Sequence, residues 1–71
     1  MNLTASQESK KYTIKNINIS DDELTAFLLS LGCYPGESIT VISKKKRNLI
    51  VAIKDSRYSI DHLLAESIIV E

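Results

Sequence analysis

Several residue types are scarce in this chain of 71 residues, which has one cysteine, one histidine, one proline, two glycines and no tryptophan. A single cysteine excludes an intrachain disulfide, and one cysteine with one histidine cannot supply the four ligands of a structural zinc site. Two glycines are too few for a glycine-rich phosphate-binding loop. No apolar run approaches 18 residues and no signal-peptide pattern is present, so we expect a cytoplasmic protein.

The chain also has no excess of charge of one sign, because nine basic and nine acidic side chains give a formal net charge of zero. Overall charge therefore does not recruit nucleic acid or an anionic membrane. Apolar residues make up 44% of the chain, which is enough for one small core. A ligand cavity would remove much of that core, and the lone histidine has no nucleophile motif beside it. We therefore expect surface binding and no enzyme activity.

Residues 1–10 show no hydrophobic period, and we expect them to form a disordered tail before a single domain at 11–71. A strand is predicted from Tyr12 to Ile19. Tyr12 and Ile14 lie in one phase of its alternation, whereas Ile17 and Ile19 lie in the other. Both pairs can lie on one face only if an extra residue intervenes, so we expect a bulge or a bend near Lys15 and Asn16.

A helix is predicted next, with Ser20 as its N-cap and Glu23 completing a capping box. One apolar face follows at helical spacing and comprises Leu24, Phe27, Leu28 and Leu31. Leu29 lies off this face, where it is either covered or, with Tyr34, an exposed contact. Gly32 is suited to the positive φ that commonly ends a helix.

The rest of the chain reads as a hairpin followed by short elements. The apolar runs 38–43 and 49–54 are joined by a basic loop and predict two antiparallel strands. Asp61 can cap a helical turn that begins at His62, and residues 67–70 form a last strand. A third, short strand is predicted at 58–60. The order is therefore strand, helix, three strands, short helix, strand. It predicts a mainly β fold with one α-helix, a small and partly open barrel of SH3-like type.

Two short motifs, at a fixed spacing, resemble the motifs of a known protein family. Leu31-Gly32 and Pro35-Gly36 stand two residues apart, ahead of a β-branched strand that starts at Ile39. The chain then ends with a Tyr58-containing strand, a short helix and Ile-x-Val. Over about residues 12–71 this pattern resembles FeoA, the small cytosolic component of bacterial ferrous iron transport. The chain resembles a short, divergent member, because residues 1–11 lack the Leu-rich segment that usually precedes the first strand, the hairpin loop is short, and Asp61 stands where Arg is common.

The resemblance implies an SH3-like barrel that acts as an accessory module of ferrous iron uptake. It also implies a partner, the FeoB permease, which the chain would reach from the cytosolic side as a monomer or weak homodimer. Aromatic and arginine side chains tend to anchor such interfaces. The expected contacts lie in the segment after the helix, at the hairpin tip and on the fourth strand: Leu31, Gly32, Cys33, Tyr34, Pro35, Gly36, Arg47 and Tyr58.

A transition-metal site is the first alternative. Asp61, His62, Glu66 and Cys33 carry the donor types that could hold Fe(II) or Zn(II), especially across a dimer. Each also has an ordinary structural explanation: Asp61 as a helix cap, Glu66 as a solvated partner of His62, and Cys33 as a half-buried loop residue.

The basic run from Lys44 to Arg47 raises a weaker alternative, a small nucleic-acid-binding barrel. No aromatic residue is interleaved with the run, so it offers no surface for base stacking. A solvated hairpin tip that discourages edge pairing, or a contact to an acidic protein patch, explains the same residues. We therefore expect no nucleic-acid partner.

Overall fold

A computed structural model describes all 71 residues, 1–71. A 3-10 turn at Leu3–Ala5 precedes five strands and two helices. The order of these elements confirms the expectation from the sequence, and they are β1 (Lys11–Ile17), α1 (Asp22–Ser30), β2 (Ser38–Lys44), β3 (Asn48–Ile53), β4 (Ser56–Asp61), α2 (His62–Ser67) and β5 (Ile68–Val70). Neither helix has the length and apolar character needed to cross a bilayer.

The strands form one antiparallel sheet in the order β4-β3-β2-β1-β5, which is the mainly β, partly open architecture that was expected. The predicted bulge in β1 is confirmed by a shift of register between Ile14 and Asn16 opposite β5. A second shift, between Val41 and Ser43 of β2, allows that strand to curve. The curved sheet encloses a core made of Leu3, Tyr12, Ile14, Leu28, Cys33, Ile39, Val41, Leu49, Val51, Ile53, Ile60, Leu64, Ala65, Ile68 and Val70.

Helix α1 begins one residue later than the sequence suggested, because its N-cap is Asp21 and not Ser20. The Oδ1 atom of Asp21 accepts hydrogen bonds from the backbone N–H groups of Glu23 (3.0 Å) and Leu24 (3.1 Å). The predicted apolar face is only partly covered, since Leu28 is fully buried whereas Phe27 is 46% exposed. A helix packed at the margin of a small sheet cannot bury a stripe wider than its contact with the sheet.

The second helix agrees with its predicted cap. Asp61 Oδ1 accepts a hydrogen bond from Leu64 N at 2.8 Å. The helix then runs to Ser67, further than the single turn that was expected. Its inner face carries Leu64 and Ala65 into the core.

The expectation of a disordered tail is wrong for the start of the chain. Leu3 is completely buried in the core. Backbone hydrogen bonds of 2.8 Å from Val70 N to Met1 O and 2.7 Å from Ser9 N to Val41 O fasten the segment to β5 and β2. A single large apolar side chain that fills the open side of a barrel leaves no period in the sequence, which is why the pattern missed it.

Candidate functional site

A cleft with a volume of about 360 Å³ lies between the end of α1 and the start of β4. Four of the eight residues expected to contact a partner line it together: Leu31, Gly32, Tyr34 and Tyr58. Ser30 also lines the cleft, next to Leu31 in the chain. No sequence pattern indicated that Ile53, Lys54 and Ser56 would lie beside these residues, because their proximity depends on how the end of α1 packs on the β3–β4 turn. Leu29, whose position was left open, is half-buried and also lines the cleft.

The wall formed by the end of α1 is held by a Schellman motif. The N–H of Cys33 donates to the carbonyl of Leu28 at 3.1 Å, and the N–H of Gly32 donates to the carbonyl of Leu29 at 3.0 Å. Gly32 has a φ of +103°, as the sequence predicted. The motif reverses the chain in a single residue and sends Tyr34 outward, where it is 49% exposed.

The segment after this reversal is fixed to the first strand. Gly36 N donates to Ile14 O and Ile14 N donates to Glu37 O, both at 2.8 Å. Pro35 and Gly36 are exposed between the cleft and β1. The backbone at Tyr34 is therefore held in place, which fixes the point from which its side chain projects.

The opposite wall is formed by the β3–β4 hairpin. A turn at Lys54 and Asp55 joins the paired residues Ile53 and Ser56. Tyr58 follows on the same face of β4 as Ser56, and its ring is half-buried at the margin of the core. The cleft therefore has aromatic rings from both walls and one cation, Lys54, at its rim.

Four of the eight expected contacts do not line the cleft: Pro35 and Gly36, in the exposed segment after Tyr34, and Cys33 and Arg47. Cys33 is 1% exposed and points into the core, where burial raises the pKa of its thiol to about 11. Arg47 lies in the β2–β3 loop, at the other end of β3 from Lys54. Seven residues at about 3.3 Å each separate the two ends by roughly 20 Å. Cys33 is thus a core residue, and Arg47 belongs to a different surface from the cleft.

The four candidate metal ligands do not come together. No group of three or more histidine, cysteine, aspartate or glutamate side chains is arranged to hold a metal ion. The Asp61 carboxylate caps α2, and the Nε2 atom of His62 lies 3.4 Å from the carbonyl oxygen of Lys45. Glu66 is exposed and lines a second, smaller depression together with Leu63, and Cys33 is buried. This set does not fit a metal centre within one chain.

The residues of the basic run from Lys44 to Arg47 also differ in their contacts. Lys44 Nζ donates to the carbonyl oxygens of Thr4 and Ser6, each at 2.8 Å, so this cation holds the N-terminal segment. Lys45, Lys46 and Arg47 remain exposed at the hairpin tip.

The sequence as a whole matches one protein family, described as the FeoA domain, over residues 1–71. This chain belongs to the FeoA family. The resemblance seen in the Leu-Gly and Pro-Gly motifs is therefore confirmed, and the family match includes the first ten residues that pack against β2 and β5. No curated protein matches the sequence.

Solved structures share the fold of this FeoA-family chain. The Stenotrophomonas maltophilia FeoA in complex with zinc superposes with a TM-score of 0.89 at 18% identity, covering 100% of this chain and 89% of that one. The iron(II) transport protein A of Clostridium thermocellum gives 0.91 at 25% identity, covering 100% and 44%. A manganese-dependent transcriptional repressor in complex with manganese gives 0.89 at 19% identity, covering 97% and 35%. The SH3-like architecture is thus common to FeoA proteins and to one part of a metal-dependent repressor.

Proposed function

We propose that this FeoA-family chain is a cytoplasmic accessory module of ferrous iron uptake that docks on the cytosolic part of a FeoB-type permease. The observation that carries the proposal is the cleft that is lined by both Tyr34, in the segment after α1, and Tyr58, on β4. Membership of the FeoA family supports the connection with iron uptake.

The chemistry of the cleft favours binding over catalysis. Leu31 and Ile53 form part of its lining, and no histidine, carboxylate or thiol lines it. It therefore lacks the histidine, carboxylate and thiol groups that most often serve as general acids, general bases or nucleophiles. Tyrosine rings are among the side chains that dominate protein interfaces, because they bury a large area at a small cost in conformational entropy.

The docking proposal is tested by measuring the affinity of the permease's cytosolic domain for wild-type protein and for Tyr34→Ala. We expect at least a tenfold loss, the size typical of an anchor worth more than about 1.4 kcal/mol. Leu63→Ala is the matched control, since Leu63 is also an exposed apolar side chain but lies in the other depression. Arg47→Ala tests the hairpin tip separately.

Equal losses for Tyr34→Ala and Leu63→Ala would show that the cleft is not the docking site. Absence of any binding by the wild-type protein would overturn the docking function itself. Circular dichroism of each variant establishes that the fold is retained.

Metal binding is a second candidate because one relative of the same fold was crystallised with zinc. The donors of this chain are dispersed, so a site would need two copies. Titration of the protein alone with Zn(II) or anaerobic Fe(II) tests this. Uptake of one metal per two chains that is lost in His62→Ala would support the candidate, and uptake unaffected by that change would remove His62 from it.

A further inference from the structure

The two edge strands of the sheet, β5 and β4, differ in whether another segment of the chain is hydrogen-bonded to them. At the β5 edge, Val70 N donates to Met1 O at 2.8 Å, and Asn2 forms an isolated bridge with Ile69. The N-terminal segment therefore covers β5. At the β4 edge, the strand pairs only with β3. An uncovered edge strand presents backbone donors and acceptors to which another strand can add.

The register of the β3–β4 hairpin identifies the groups that point outward. Ile53 and Ser56 flank a two-residue turn, and this position is a hydrogen-bonded pair in such hairpins. Hydrogen-bonded and non-hydrogen-bonded pairs alternate along antiparallel strands. Arg57 and Ser59 consequently direct their N–H and C=O groups away from β3. No backbone hydrogen bond from another part of the chain reaches either residue.

The free edge of β4 runs beside the cleft that Tyr34 and Tyr58 line, the tyrosine cleft. Ser56 and Tyr58 of β4 line the cleft, and Leu31 and Tyr34 form its other wall. A strand laid along β4 places every second side chain on the same face of the sheet as Tyr58. One of those side chains would reach the cleft, so backbone pairing and apolar contact would occur together.

Charge around this edge indicates the character of the added strand. The loops and residues that flank β4 carry five of the nine basic side chains of the chain: Lys45, Lys46, Arg47, Lys54 and Arg57. The same stretch carries two acids, Asp55 and Asp61, and the Asp61 carboxylate already accepts the α2 capping bond. An acidic segment is therefore complementary to this edge.

We propose that an extended acidic segment of the partner adds to the free edge of β4 as a sixth strand and places one large apolar side chain in the cleft between Tyr34 and Tyr58. The identity of the partner rests on the proposed function, whereas the mode of recognition rests on the edge, the cleft and the charge.

The decisive comparison is Ser59→Pro against Ser59→Ala. Both variants lose the hydrogen bond from Asn48 Nδ2 to Ser59 Oγ. Only proline also removes the outward N–H, and a donor on the free side of an edge strand can be removed without breaking the ladder to β3. We expect the permease's cytosolic domain to bind Ser59→Pro about tenfold more weakly than the wild type, as for the loss of a main-chain hydrogen bond. Ser59→Ala should stay within about twofold.

Amide hydrogen exchange of the wild-type protein tests the same idea without any risk of misfolding. Binding of the permease domain should slow exchange at Arg57 and Ser59 by more than tenfold. The charge is tested by Lys54→Gln, which should weaken binding and reduce its salt dependence, with Lys15→Gln, an exposed lysine on β1, as the control.

Each failure has a distinct meaning. Binding of the wild type with unprotected Arg57 and Ser59 amides would overturn the added strand and leave docking intact. Protection that rises with the concentration of the protein alone would replace the acidic partner by a second copy of this chain. No binding of the permease domain would overturn both the docking function and the strand that depends on it.

Discussion

A Cβ atom placed on Gly32 would lie 3.1 Å from Cγ2 of Ile53, at a backbone φ of +103°. The end of α1 therefore packs against the last residue of β3 without space for a side chain, and both Gly32 and Ile53 line the cleft. Gly36 has a similar φ of +93° but no atom within 4 Å of a Cβ in the same position. Substitutions at the two glycines therefore allow the effect of backbone strain to be separated from that of close packing.

Gly32→Ala should lower the free energy of unfolding by about 2–3 kcal/mol, because strain at positive φ adds to overpacking against Ile53. Gly36→Ala should lower the free energy of unfolding by only about 1 kcal/mol, because backbone strain is its only effect. Urea denaturation of both variants measures the difference. Equal costs would show that the Ile53 contact is relieved by a small shift of the loop.

Leu3→Ala should destabilise the protein by about 3 kcal/mol, since it empties a fully buried position in the core. Gln7→Ala is the control, because the Gln7 side chain is exposed and its backbone N–H still donates to the Tyr12 hydroxyl. Thermal denaturation of the two variants is the measurement. An unchanged midpoint for Leu3→Ala would mean that the N-terminal segment does not contribute to the folded core.

Asp21→Ala should cost about 1 kcal/mol through loss of the α1 cap. Ser20→Ala should change the free energy of unfolding by less than about 0.5 kcal/mol, because Ser20 lies outside the helix and makes no capping bond. The opposite ranking in chemical denaturation would restore Ser20 as the N-cap.

The buried thiol of Cys33 predicts a pH dependence of stability. Burial raises its pKa from 9.0 to about 11 in the folded protein, so the folded state disfavours the thiolate. Below pH 9 both states hold the proton and the group has no effect. Between pH 9 and 11 the unfolded chain ionises first, so stability falls, by at most about 2–3 kcal/mol.

Comparison of wild type with Cys33→Ala over this range isolates the contribution of the thiol from those of the other ionisable side chains. The stability difference between the two should shrink or invert as the pH rises. A constant difference would show that the Cys33 pKa is the same in both states.

Local patterns in the sequence were sufficient for the order of the elements from β1 to β5, but not for the 3-10 turn at Leu3–Ala5 or for the exact start of α1. Alternation located the strands and the β1 bulge, the Asp61 cap marked α2, and Gly32 marked the end of α1. These features depend on neighbours within a few residues, so the sequence displays them directly. The Leu-Gly and Pro-Gly motifs, at their fixed spacing, also indicated the family.

The candidate site was predicted only in part. Leu31, Gly32, Tyr34 and Tyr58 were expected to contact a partner, and the fold brings them to one cleft. Lys54 and Ser56 could not be predicted, because they reach the cleft through the packing of one turn against another.

Cys33, Leu3 and Arg47 show what the tertiary structure alone decided. The sequence determined the elements, their order and the chemical types available for binding. Which of those side chains face the core, the cleft or a distant loop depends on the curvature of the sheet and on the direction in which each turn sends the chain. Cys33 faces inward beside an exposed Tyr34, Leu3 is buried in the core, and Arg47 lies at the far end of β3 from the cleft. These arrangements arise from contacts between residues far apart in the chain, which no local period encodes.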